Sequence, residues 1–112
     1  MAKAHKAAFT APQHLEPETR RWFEAVATEF VLEEHHLRLL ALAGEAWDRC
    51  QAARLAIQTH GLTFNDRFGT PKARPEIAIE RDSRIGFSRC VRELGLDLQE
   101  PESRPPRTGG RS

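Results

Sequence analysis

The sequence predicts a mainly α-helical chain of three helices, over about 16–30, 33–60 and 75–94, with a short β-hairpin or extended loop at 62–74. Three observations predict this class. Apolar residues recur at helical spacing through each of the three segments. Each long segment starts or stops at a proline, a glycine or a pair of acids. The stretch between the second and third segments is rich in turn formers, Asn65-Asp66-Arg67-Phe68-Gly69, rather than periodic.

In the first helix Pro17 suits the first turn, and Glu16 and Glu18 suit the positive N-terminal end. At 100° per residue Trp22, Phe23, Val26 and Phe30 fall on one face, and Arg20 and Arg21 lie off it. Val31-Leu32 make a tight connection. Glu33-Glu34 open the second helix, which runs to His60 and is closed by Gly61. Its main apolar stripe is Leu39, Leu40, Ala43, Ala46, Trp47, Cys50 and Ile57, with Leu37, Ala41, Gly44 and Leu55 as a weaker second stripe. A helix of roughly 26 residues extends about 39 Å, long for one small domain, so part of its surface is expected to meet another subunit.

Leu62-Thr63-Phe64 is a strand candidate, and Thr70 to Arg74 leads away as a second arm in which Pro71 allows only an edge strand. Pro75 opens the third helix and Gly95 closes it. Its core face is Ile79, Gly86, Phe87, Cys90, Val91 and Leu94, opposite Arg81, Arg84, Arg89 and Arg92. Residues 1–14 hold Lys3, Lys6, His5 and His14 and no acid, and are expected to form a flexible basic arm. The helical core then spans 15–98. From Gln99 the Pro-, Gly- and Arg-rich composition cannot bury a core, so 99–112 is expected to be a disordered tail.

The bulk numbers narrow the function. A chain of 112 residues is one domain with tails. Seventeen basic and sixteen acidic residues give a net charge of +1, which argues against a uniformly basic DNA binder but leaves room for local basic faces. No apolar stretch approaches the roughly 18 residues of a membrane span. The start, Met1-Ala-Lys-Ala-His-Lys, lacks the apolar region of a secretory signal, so the expected location is the cytoplasm.

No catalytic constellation is expected. His35-His36 is an adjacent pair near a helix start, and Cys50 is too far along the same helix to share an ion with it. Cys50 and Cys90 read as small core residues, with a disulfide or metal pair as the alternative. Glu33, Glu34, Glu76 and Glu80 sit near helix starts, where the helix dipole accounts for them. Neither a glycine-rich phosphate loop nor an HExxH or CxxC spacing is present, and no metal or cofactor is expected.

Two features ask for partners. Arg54 and Glu80 each interrupt an apolar face, and an Arg54–Glu80 contact within or between subunits would relieve both; the alternative has Arg54 reaching to solvent. The arginine row of the third helix reads as a solvated face, as a phosphate-binding face or as a set of subunit ion pairs. Ile85 among those arginines marks a contact surface.

The order and spacing of several segments resemble the small subunits of tailed-bacteriophage terminases, the DNA-packaging recognition factors. The carriers are the Trp22 helix, Ala43-Gly44-Glu45-Ala46-Trp47, Gly61-Leu62-Thr63-Phe64 with Phe68-Gly69, Lys72-Ala73-Arg74-Pro75-Glu76, Glu80-Arg81-Asp82-Ser83-Arg84 and Arg92-Glu93-Leu94-Gly95-Leu96. The resemblance covers about residues 15–98. It implies a ring of about eight to ten copies, recognition of double-stranded viral DNA at the packaging start, and delivery of that DNA to the large terminase subunit, which carries the ATPase and nuclease. It also implies that the small subunit is not itself the catalyst and works in the cytoplasm of the infected bacterial host. Many small terminase subunits carry an N-terminal helix-turn-helix; residues 1–14 are too short and polar for one. The DNA-binding candidates are therefore Lys3 and Lys6 of the arm, Arg67, Lys72 and Arg74 of the loop, and Arg81, Arg84 and Arg89 of the third helix. Arg54, Glu80, Trp47, Phe64 and Phe68 are the structural or interface candidates. The rival reading is a small helical oligomeric adaptor that binds a protein partner without DNA, and a small metal-dependent nuclease comes third.

Overall fold

A computed structural model describes residues 10–96. The described chain is α1 (Pro17–Glu29), α2 (Glu34–His60), β1 (Thr63–Asn65), β2 (Pro71–Ala73) and α3 (Pro75–Leu94). Each predicted helix is present, with its ends within about a residue of those expected, because the end signals are local. Pro17 and Pro75 occupy first-turn positions, where a missing N–H costs nothing. Gly61 and Gly95 close α2 and α3 at φ +88° and +75°, which a side chain would resist. Lys3, Lys6 and the tail over 99–112 lie outside the described residues.

α2 and α3 form the principal packed pair. They run antiparallel: Cys50 Sγ donates to the Glu80 carbonyl at 3.6 Å, while three residues earlier Trp47 packs at a tilt against Phe87, seven residues later. Where the pair closes, Gly86 brings α3 within reach of Ala46. The buried residues of α2 are Leu40, Ala43, Gly44, Ala46, Cys50 and Ala53; Leu40 and Gly44 face the α1 side, Ala46 and Cys50 face α3, and α3 buries Ser83. Small side chains at the contact let the helix axes approach.

α1 lies across the start of this pair and makes the main core: Ala11, Leu15, Phe23, Ala27 and Leu40, with Leu94 and Leu96 packed against them. Residues 11–14, expected within the flexible arm, make fixed contacts with the helices. Ala11 is buried, its N–H donates to Glu24 Oε2 at 3.2 Å, and His14 Nε2 meets Glu45 Oε2 at 2.7 Å. Arg20 Nη1 holds the same segment by donating to the Leu15 and Gln13 carbonyls at 2.7 and 3.2 Å. Residues 10–15, Thr-Ala-Pro-Gln-His-Leu, carry no helical period, so sequence periodicity missed these contacts.

The expected apolar faces are only partly covered. Phe23 and Leu40 are buried, but Phe30, Trp47 and Ile79 each expose 40% or more. α1 is too short to shield them all. Within the chain Arg54 and Glu80 do not meet. Arg54 Nε donates to Gln51 Oε1 at 3.2 Å on the exposed side of α2, and Glu80 Oε1 accepts from Arg84 Nη2 at 2.6 Å, one helical turn away. Any Arg54–Glu80 contact would have to form between subunits with Glu80 already engaged. His36 serves the start of α2: its Nδ1 accepts from the Glu33 N–H at 3.1 Å in a capping box.

Candidate nucleic-acid interface

The loop between α2 and α3 is a two-stranded antiparallel hairpin in which Thr63 faces Ala73, Phe64 faces Lys72 and Asn65 faces Pro71. Its tip is fixed by one side chain. Asp66 Oδ1 accepts the N–H groups of Phe68 and Thr70 at 2.8 and 2.9 Å, and Gly69 supplies the positive φ of +80°. This turn pushes Phe68 outward to 80% exposure, with the Arg67 guanidinium 5.2 Å from its ring centroid. All six strand residues are exposed. The hairpin therefore stands off the helices as a projection of apolar and basic groups.

Its three basic candidates are not equivalent. Arg67 is exposed at the tip. Lys72 Nζ lies 4.0 Å from Asp66 Oδ2 and stays more than half exposed. Arg74 turns inward at the start of α3, its Nε 3.4 Å from Glu76 Oε1 with no hydrogen bond between these buried atoms. That places Arg74 poorly for a phosphate.

On α3 the helical period sets Arg81, Ile85, Ser88 and Arg92 along the middle of one face, with Arg84 and Arg89 on its two flanks. All six are exposed. The row runs about 17 Å along the axis. Arg81 Nε donates to its neighbour Asp82 at 3.1 Å. The Glu80 carboxylate, by its hydrogen bond and then its charge, raises the Arg84 pKa above the ordinary arginine value. Arg89 and Arg92 make no ion pair among the described residues, so this end of the row is the most available for an anion. Ile85, 46% exposed, sits between the cations as a small apolar contact.

A third surface escaped sequence reasoning. Trp22 of α1, Trp47 of α2 and Phe87 of α3 converge, with Phe87 5.9 Å from Trp22 and 5.2 Å from Trp47, centroid to centroid. With Glu18 and Thr19 they line an open cleft of about 360 Å³. The depression continues along α1 and α2 past Glu16, Arg21, Asp48 and Leu55. Asp48 also builds it: Oδ1 accepts the Thr19 hydroxyl at 2.6 Å and Oδ2 the Glu16 N–H at 2.8 Å, so α2 caps α1 from outside. The sequence places Trp22 and Trp47 on separate core faces; only the docking angle of α1 leaves them around one opening.

Among the described residues no group of three or more His, Cys, Asp or Glu side chains is placed to hold a metal ion. Cys50 and Cys90 are free thiols. Burial, and secondarily the Glu93 carboxylate, pushes the Cys90 thiol above its usual pKa. Among the described residues no helix is long and apolar enough to cross a membrane.

Comparison with known families matches residues 19–104 to the family described as phage terminase, small subunit. Neither the curated proteins nor the solved structures give a significant match. The family match spans α1, α2, the hairpin and α3 and covers about three quarters of the 112 residues. The chain belongs to the phage terminase small-subunit family, and with it to the machinery of phage DNA packaging.

Proposed function

We propose that this protein assembles as a homo-oligomeric ring, binds double-stranded viral DNA at the packaging start, and presents it to the large terminase subunit in the cytoplasm of the infected bacterium. Family membership over residues 19–104 carries the reading. The exposed arginine face of α3 supports it as the surface for phosphates, with Arg89, which makes no ion pair among the described residues, as the leading contact and Arg81 and Arg84 beside it. Arg67 and Lys72 of the hairpin are secondary, and Lys3 and Lys6 remain candidates from the N-terminal segment. Arg54, Glu80, Trp47, Phe64 and Phe68 belong to the packing and subunit side of the proposal. The protein would act by charge and geometry rather than catalysis. A ring sums many modest patches, so a near-neutral subunit still holds a polyanion through several weak contacts at once.

The test is DNA binding by the full chain across a salt titration. Binding should fall steeply as salt rises, and Arg81→Ala with Arg89→Ala should flatten that dependence. A chain that ignores DNA at low salt while binding the large subunit would favour the adaptor reading instead.

A further inference from the structure

We infer that the hairpin tip of one copy docks in the aromatic cleft of the next, with Phe68 as the knob and the Trp22–Trp47–Phe87 cleft as the hole. The inference rests on the homo-oligomeric reading proposed above and adds the surfaces that make it. Phe68 is a large apolar side chain held 80% exposed on a turn that Asp66 and Gly69 make rigid. A side chain presented in this way has little rotational freedom of its backbone left to lose on docking. The cleft is the complementary shape: about 360 Å³, aromatic on three sides, with Trp47 45% exposed. An aromatic ring entering it would meet ring edges and faces from all three helices.

Charge matches as well as shape. The knob is flanked by Arg67, while Lys72 on the second strand lies 4.0 Å from Asp66 Oδ2. The hole is edged by Glu18, and the depression that adjoins it carries Glu16, Asp48 and the one base Arg21. Asp48 is engaged by Thr19 and Glu16, but the Glu16 and Glu18 carboxylates have no ion-pair partner among the described residues. Opposite charges at the rim fix orientation and speed encounter more than they add affinity.

The two surfaces cannot satisfy each other inside one chain. The cleft lies at Trp47, and at about 1.5 Å per residue α2 carries His60 roughly 20 Å beyond it before the hairpin begins. The hairpin then projects away from the helices. The contact must be between copies, and because knob and hole are different patches it is head-to-tail. Such an interface closes into a ring when the rotation per subunit allows.

Native mass measurement of the full chain and two variants tests this. The unaltered chain should give one closed oligomer. Phe68→Ala, which keeps the hole, and Glu18→Arg with Trp47→Ala, which keeps the knob, should each need at least about tenfold more protein to half-assemble. Mixed in equal amounts, the two variants should form a one-to-one heterodimer and nothing larger, since only one good junction remains. Should the cleft variant misfold, the exposed charge pair serves alone: Arg67→Glu and Glu18→Arg should each weaken assembly and restore it when mixed or combined. A full oligomer formed by Phe68→Ala, or a mixture that stays monomeric, would overturn the proposal and give the cleft to another occupant, such as the chain's own 97–112 segment or the large subunit. A monomeric unaltered chain would instead overturn the oligomer reading itself. DNA binding, measured separately, bears on neither outcome.

Discussion

Phe23 and Phe68 are the same side chain at opposite ends of one molecule. Phe23 is 4% exposed, seated between α1 and α2 against Ala27 and Leu40. Phe68 is 80% exposed on a two-stranded hairpin with no core beneath it. The packed end spends its apolar residues on folding, and the hairpin end holds them outward. The lesson is that exposure at the hairpin is built rather than left over. Asp66 supplies two hydrogen bonds and Gly69 a left-handed residue to a loop that shelters nothing.

The largest effect that tests the contrast is truncation at the packed end. Phe23→Ala should cost about 3–5 kcal/mol, from lost transfer energy plus a cavity that the surrounding helices cannot fill. That is a large part of the ~5–15 kcal/mol available to a domain of this size. Phe68→Ala, measured by urea unfolding at low protein concentration, should stay within about 0.5 kcal/mol of the unaltered chain. At high concentration the gap should widen, because assembly stabilises whichever copies associate. Equal losses for the two substitutions at low concentration would break the comparison.

Asp48→Ala comes next. It removes the acceptor of the Thr19 hydroxyl and the Glu16 N–H together, uncapping α1 and opening the cleft. About 1–2 kcal/mol should be lost. Gly44→Ala should follow at about 1 kcal/mol destabilising. Alanine favours the helix by up to ~1 kcal/mol over glycine. Here the new methyl would meet Leu15 Cδ1 and Thr19 Cγ2, each at 3.1 Å. Leu15 is 2% exposed and Thr19 is tied to Asp48, so neither has room to move. Overpacking outweighs propensity. Stabilisation by Gly44→Ala would show that the α1–α2 contact is looser than its geometry.

These residues also show what the sequence made legible. Helix ends were readable because Pro17, Gly61, Pro75 and Gly95 act within one turn of themselves. The hairpin was readable from Asn65 to Gly69 for the same reason. Periodicity located Phe23 and Leu40 but ranked Trp47 and Ile79 with them, since a face says nothing about whether a neighbour reaches it. Arg54 and Glu80 look like a pair because both interrupt apolar faces; the Glu80 carboxylate instead pairs with Arg84 one turn along its own helix. Leu15, Ala11 and the Asp48 cap were invisible because they depend on where a non-periodic segment lies over two helices. The arginine row on α3 was readable residue by residue. Which of its members are engaged by Asp82 or Glu80 was not.

The smallest effect is kinetic and probes the packed pair near its α1 end. Cys90 is half-buried on α3, and its thiol pKa is raised by burial and then by Glu93. The folded state thus prefers the neutral thiol. Its contribution to stability is fully present below the unfolded-state thiol pKa and is lost as pH rises through the higher folded value. Alkylation needs the thiolate. The pH profile for labelling Cys90 with iodoacetamide should therefore lie at higher pH in the folded chain than in urea, with Cys50 slower still because it is buried. Glu93→Gln should move the Cys90 profile only part of the way back, since burial is the larger cause. A Cys90 profile that matches the unfolded chain would mean that α3 frays at this point, and that the packed end stops short of the helix terminus that Gly95 and Leu96 close.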